Sequence, residues 1–285
     1  MNNVILFTAA GCVYSMAALL YCSRFATPLF QKTSTLRRML GIGVILQTGA
    51  YILRWIEIVR LGLDQTPLSV FTLYESLVFT AWALVLLYLL FDALYHVPLL
   101  GAGCALCAGL VVLCASLSGT IDPAIKELPS VLRGNLFVPH AISSMAAFAA
   151  FILSVICSAA ILLPTWFNRL LEQEECRSGC LPDVQVLDKV NYKTLVIGFF
   201  LYTLGMATGA YRCKIIWGRY WSWDPSEVSS VLVWTVYAFI LHGRYQNWWR
   251  PRATALFAII AFVFACLCFV ISARFLLASR HYPIT

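Results

Sequence analysis

Residues 138–163, VPHAISSMAAFAAFILSVICSAAILL, run without an Asp, Glu, Lys or Arg, and that run decides the fold. Crossing the hydrocarbon core of a bilayer takes roughly 20 predominantly apolar residues in a helix, so this stretch is long enough to span. Comparable runs lie near 4–23, 39–60, 70–94, 98–117, 194–211, 227–242 and 254–278. Hydrophobic residues make up 61% of the 285-residue chain and charged residues 12%. Soluble domains carry about 25% charged residues, so a water-soluble globule is excluded. The runs are continuous where the strands of a membrane β-barrel would alternate. The sequence therefore predicts an all-α, polytopic membrane helical bundle of about eight transmembrane helices, forming a single integral membrane domain over residues 1–285. The seventh run is short and follows directly on an aromatic segment, so its boundary is the least sharp. The first has the length of a retained helix rather than of a signal peptide.

Basic residues orient the bundle. Arg24, Lys32, Arg37 and Arg38 follow the first run, and Arg244, Arg250 and Arg252 precede the eighth. The positive-inside rule puts both loops on the cytoplasmic side and both termini outside. Outward segments also keep basic residues, so the orientation rests mainly on the first loop. The loop 164–193, with Glu172, Glu174 and Glu175, reads as a connector. No nucleic-acid partner is expected. Most of the 11 cysteines fall inside apolar runs, where cysteine behaves as a small hydrophobe. Cys104 and Cys107 make a CxxC that packing explains better than zinc or redox chemistry, and Cys176 and Cys180 read as plain loop residues, with no histidine near them. Cys213 has no assigned role.

Residues 217–228, WGRYWSWDPSEV, place Trp217, Tyr220, Trp221 and Trp223 in seven positions between two apolar runs. Trp217 and Trp221 are four apart, so in a helical turn they share a face and form a flat π-rich shelf. An interfacial aromatic belt is the plain alternative, but four aromatics bounded by Gly218 and Asp224-Pro225 exceed what anchoring needs. Arg212, Lys214 and Arg219 flank the shelf, where they either snorkel to the interface or pair with carboxylates. Shelf and cations together fit a planar apolar ligand with two carboxylates, and haem is the obvious candidate. Asp224 has two readings: a hydrogen bond that orients a histidine ligand, or the N-cap of a helix beginning at Pro225, with Glu227 at the third helical position. Capping is favoured.

Three of the four histidines bear on haem ligation. His140, at the outer end of the fifth run, and His281, in the tail after the eighth, reach the same face as the shelf, and would bracket a porphyrin as a bis-histidine pair. His242 lies at the inner end of the seventh run. About 15 residues of helix cover ~22 Å, so it is too far away to join them. An ionisable residue at that depth is a functional hypothesis by default. A helix cap or a hydrogen bond to a carbonyl for His140, and an anchoring role for His242, are the plain alternatives. His96 has none assigned.

Together these residues resemble the CcsA family of System II cytochrome c maturation, within the wider group of haem-handling membrane proteins that carry a tryptophan-rich WWD segment. Trp217 to Glu227 is similar to that family's WGxYWxWDPKE. Leu73-Tyr74-Glu75-Ser76 followed by Trp82, the run Leu187 to Ala210, and Leu241-His242-Gly243-Arg244 resemble its LYES, pre-WWD and LHTR stretches. The resemblance covers residues 66–281, with 213–228 as the haem-presenting segment. It implies that His140 and His281 are the outer ligands to haem iron, that His242 is the intramembrane ligand, and that Trp217, Trp221, Trp223 and Asp224 belong to the cofactor surface. It also implies haem b bound as substrate, an apocytochrome c and a CcsB/ResB-like membrane partner, and a bacterial inner membrane or a thylakoid-type membrane. Departures are Ser226 for lysine, Val228 for threonine, and the tail Ser279 to Pro283 for a glycine-rich GLHSYG. The function implied is conveying haem outward and presenting it for covalent attachment, as part of a cytochrome c synthase (haem lyase) complex. A HemX-like haem-binding or regulatory protein, or a CcmC-type exporter without ligation activity, is the alternative.

Overall fold

The computed structural model describes residues 2–23, 33–63, 72–125, 136–163 and 183–279. Among these, eight α-helices follow one another: α1 (Asn2–Ser23), α2 (Thr33–Arg60), α3 (Leu73–Tyr95), α4 (Pro98–Leu117), α5 (Phe137–Leu162), α6 (Val184–Trp217), α7 (Pro225–Tyr245) and α8 (Pro251–Ser279). No strand occurs among the described residues. Seven of the helices are long and apolar enough to cross a membrane, and the chain is a multi-pass integral membrane protein. The exception is α7, where the seventh span was expected. Ser226, Glu227, Ser229, Ser230, Thr235, His242 and Arg244 dilute its apolar residues. Several of its hydroxyls turn back onto the helix itself: Ser229 donates to Pro225 O, Ser230 to Glu227 O and Thr235 to Val231 O, which removes bare donors from the lipid.

Local chemistry sets the helix ends. Thr72 and Glu75 form a reciprocal capping box at the start of α3, satisfying two amides that have no helical partner. α3 stops at His96, in the left-handed region at φ 53°, and Pro98 opens α4. α6 begins ten residues before the expected span 194–211, at the cap Asp183. Its polar inner third stays helical because neighbouring helices satisfy it. Asn191 is fully buried, accepting from Ser154 Oγ at 2.5 Å and donating to Ser158 Oγ at 3.1 Å, and Asp188 pairs with Arg244 of α7.

Lipid chains are as apolar as leucine, so close packing and interhelical hydrogen bonds hold such a bundle together. α1 lies against α2 and α4, α3 against α4 and α5, α5 against α6 and α8, and α7 chiefly against α8. One buried cluster joins α1–α5 with the start of α6 and with Ala255 of α8; a second joins α5–α8. α5 belongs to both, with Leu153 and Cys157 in the first and Ala147 and Phe151 in the second. The Phe151 ring stacks on Tyr237 of α7 with centroids 3.8 Å apart and planes 8° from parallel. A buried ion pair closes the other half: Arg54 reaches Glu75 Oε1 through Nε at 2.9 Å and Nη2 at 2.6 Å, and its Nη1 donates to Pro123 O at 3.0 Å. This satisfies the charges that burial would otherwise penalise.

Candidate functional site

One end of the second half gathers the start of α5, the end of α6, the link 218–224, the start of α7 and the end of α8. By the positive-inside rule the sequence leads one to expect this end on the outer side of the membrane. Arg212 of α6 lies 4.8 Å above the Phe137 ring of α5. Ser272 of α8 donates to Ser229 Oγ of α7 at 2.9 Å, so α8 returns the chain to the face that carries the tryptophans.

The tryptophan segment departs from the expected flat shelf. α6 ends at Trp217, and Gly218 takes the left-handed conformation at φ 73° with its amide bonded to Lys214 O, a stop that glycine makes without steric cost. Trp217 therefore stays on the helix while Trp221 lies beyond the turn, and the four-residue spacing does not place them on one helical face. Trp221 and Trp223 meet edge to face, 5.7 Å apart at 88°. Trp217 and Tyr220 are exposed, Trp221 is half-buried, and Trp223 is 77% exposed with φ 60°. The segment folds back over the end of α6: Tyr220 packs against Tyr211 at 6.4 Å, and Lys214 Nζ sits 5.5 Å above the Tyr220 ring while donating to Gly218 O at 2.8 Å. Arg219 is exposed.

Asp224 is the N-cap of α7. Its Oδ1 accepts from Ser226 N at 2.8 Å and from Ser226 Oγ at 2.6 Å, and Glu227 answers by accepting from Asp224 N at 3.3 Å. Pro225 occupies the first helical position, where its missing amide costs nothing.

His140 sits one turn into α5 against α6. Its Nδ1 lies 2.7 Å from the carbonyl oxygen of Gly205. A carbonyl only accepts, so Nδ1 carries the hydrogen and Nε2 keeps its lone pair. An imidazole held through Nδ1 in this way can coordinate a metal through Nε2, with its ring oriented from behind; the same bond also fits the plain reading of a histidine bonded to a carbonyl. From Gly209, beside the ring, to Trp217 the rise along α6 is about 12 Å.

At the opposite end, His242 is exposed, its ring edge to face with Trp248 at 5.4 Å. Arg244, two residues on, pairs with Asp188 and donates to Trp249 O at 3.2 Å. The structure thus puts His140 at the tryptophan end and His242 at the other, as the sequence spacing required. His281, Cys176 and Cys180 lie outside the described residues. Cys104 is buried and Cys107 half-buried. No cluster of three potential ligands for a bare metal ion occurs among the described residues.

The model of the family described as "Cytochrome C assembly protein" matches residues 70–277, most of the chain. The chain belongs to that family. Similar relatives, each named "Cytochrome c biogenesis protein CcsA", come from Synechococcus sp. (strain WH7803), 29% identical over 94% of this chain and 90% of the relative; Synechococcus sp. (strain CC9605), 30% identical over 84% and 83%; and Mesostigma viride, 31% identical over 72% and 73%. Cytochrome c biogenesis is accordingly the work of this cytochrome c assembly protein, in a bacterial or thylakoid membrane.

Three features of the assembly protein's site escaped sequence reasoning. Glu227 does more than answer the cap: it also accepts from Ser222 N at 2.7 Å and Ser222 Oγ at 3.0 Å, so one carboxylate holds both residues flanking Trp223. Gly205 and Gly209 receive His140, and their GxxxG spacing is the available signal, since small residues four apart mark close helix contacts in membranes. The Arg244–Asp188 pair links positions 56 apart and has no local signature.

Proposed function

We propose that this protein is the haem-handling subunit of a cytochrome c synthase complex. It accepts haem b, its substrate, at His242 on the inner side, conveys it to the outer end, and presents it at segment 213–228 to the cysteine thiols of an apocytochrome c. The observation that carries this reading is the His140 ring of α5, hydrogen-bonded through Nδ1 to Gly205 O of α6, the helix that delivers the tryptophan segment, with Nε2 left to ligate. His140 and His281 hold the iron from opposite sides. Trp217, Trp221 and Trp223 supply apolar surface for the macrocycle, and Arg212 and Lys214 bring positive charge to the same end for its propionates. Asp224 shapes the segment as a cap. Positioning a reduced haem beside the thiols is the main demand of thioether formation, and it is what a rigid helical frame supplies. The residues described here form a bundle with no extramembrane domain of their own, so a CcsB/ResB-like membrane subunit completes the complex. The whole chain acts as one unit in this reading.

Absorption spectra of the purified protein test it. Wild type carries low-spin, bis-imidazole haem, whereas His140→Ala and His281→Ala each lose that signature. Wild-type spectra from both variants would remove the outer site and leave the reading without its support.

A further inference from the structure

We infer that Gly205 and Gly209 of α6 are positioning residues for His140, one through its carbonyl and the other through the side chain it lacks. This rests on the reading of His140 as a haem ligand.

A Cβ built on Gly209 would lie 2.9 Å from His140 Nδ1 and 3.0 Å from Cε1, closer than carbon and a ring atom tolerate without displacement. The imidazole therefore occupies the space that glycine leaves. Its freedom is further reduced by the 2.7 Å bond from Nδ1 to Gly205 O, one helical turn before Gly209. The two glycines act on different properties of the ring. The carbonyl selects the Nδ1–H tautomer and so leaves Nε2 unprotonated, while the notch sets how deeply the ring seats and thus where Nε2 points. Any side chain at 209 pushes the ring outward, lengthens the bond to Gly205 O and frees the ring to rotate. Outer partners that orient a ligating histidine are typically worth 10- to 100-fold in metal affinity.

Gly198 in the same seam supplies the contrast. A Cβ on Gly198 would meet Phe151 Cε1 at 2.5 Å. Crowding there strains the α5–α6 contact about as severely, but two of its turns lie between it and Gly205 and no ligand is involved.

The test is titration of haemin into the haem-free, full-length protein, reading both half-saturation and the fraction of six-coordinate low-spin haem. Gly209→Ala is expected to raise half-saturation about tenfold and to lower the low-spin fraction. Gly198→Ala is expected to lower thermal stability with half-saturation unchanged. In the His140→Gly background, with imidazole supplied in the medium, Gly209→Ala should change half-saturation by less than twofold, because free imidazole is not tied to α5. A wild-type titration for Gly209→Ala overturns the inference. So does an equal loss from Gly198→Ala, or a loss that persists in the imidazole-filled background, since either marks a packing role only. If His140→Gly without imidazole titrates as wild type, the ligand reading itself has failed and the inference falls with it.

Discussion

Replacing Glu227 with alanine should loosen the tryptophan segment specifically at residues 222 and 224. The Glu227 carboxylate accepts from Ser222 N at 2.7 Å, Ser222 Oγ at 3.0 Å and Asp224 N at 3.3 Å. Hydrogen bonds to charged groups contribute about 1.5–3 kcal/mol each. Glu227 and Ser222 are only half-buried, so the low end applies, and the third bond is long. Two effective bonds then give ~3 kcal/mol. Trp223, between the two clamped residues, sits at φ 60°; the strain of that conformation, at least ~1 kcal/mol for a non-glycine residue, is carried by the closed segment of wild type and variant alike and cancels from the difference. The loss is therefore about 3 kcal/mol, or on the order of a 100-fold rise in the open population at about 1.4 kcal/mol per tenfold. Hydrogen–deuterium exchange of a peptide covering 218–228, measured in nanodiscs, reads this directly: the Ser222 and Asp224 amides should exchange on the order of 100 times faster, while amides in the middle of α6 and α7 keep their rates. Glu227→Gln, which retains an acceptor, should give a much smaller change. Wild-type exchange at both amides in Glu227→Ala would refute the clamp, and uniform acceleration along α7 would show that the residue matters only to the helix.

Asp224→Asn, which can still cap but carries no charge, should leave haem binding and its potential unaltered, and a shifted potential would reinstate a direct role for the carboxylate. Trp221→Ala or Trp223→Ala should lower haem occupancy while membrane insertion stays normal; retained haem with poor insertion would point to an interfacial belt. Arg54 and Glu75 have side chains only 2% and 5% exposed, so Glu75→Ala, which strands a buried guanidinium, should cost about 3–5 kcal/mol and lower the thermal midpoint in detergent well beyond Glu75→Gln. His242→Gly should leave the outer site short of haem made in the cell, and imidazole in the medium should restore loading. Normal loading without imidazole would end its role as the inner ligand.

Much of this architecture was legible in the chain because the bilayer imposes a one-dimensional rule. Backbone groups in lipid must bond within their own segment, so a run such as 138–163 has no alternative to a helix. The capping box at Asp224, Pro225 and Glu227 was equally legible, since all its partners lie within four residues and backbone geometry alone brings them together. The same locality explains the error over Trp217 and Trp221: their spacing implies a common face only if the helix continues, and Gly218 ends it.

By itself, then, the sequence determined the helices, their order, the end at which the tryptophans and His140 emerge, and the separation of His242 from both. Tertiary structure alone decided what each polar group meets. Arg54 finds Glu75, Arg244 finds Asp188, and His140 finds Gly205 O. Each pairing depends on the register and depth at which two helices seat against each other, which the size of every residue along the seam sets jointly. Helical period fixes which face a side chain occupies, but not which neighbour that face approaches or how closely. That is why His140 was readable as a histidine at the outer end, whereas its tautomer and orientation depended on two glycines 65 and 69 residues further along the chain.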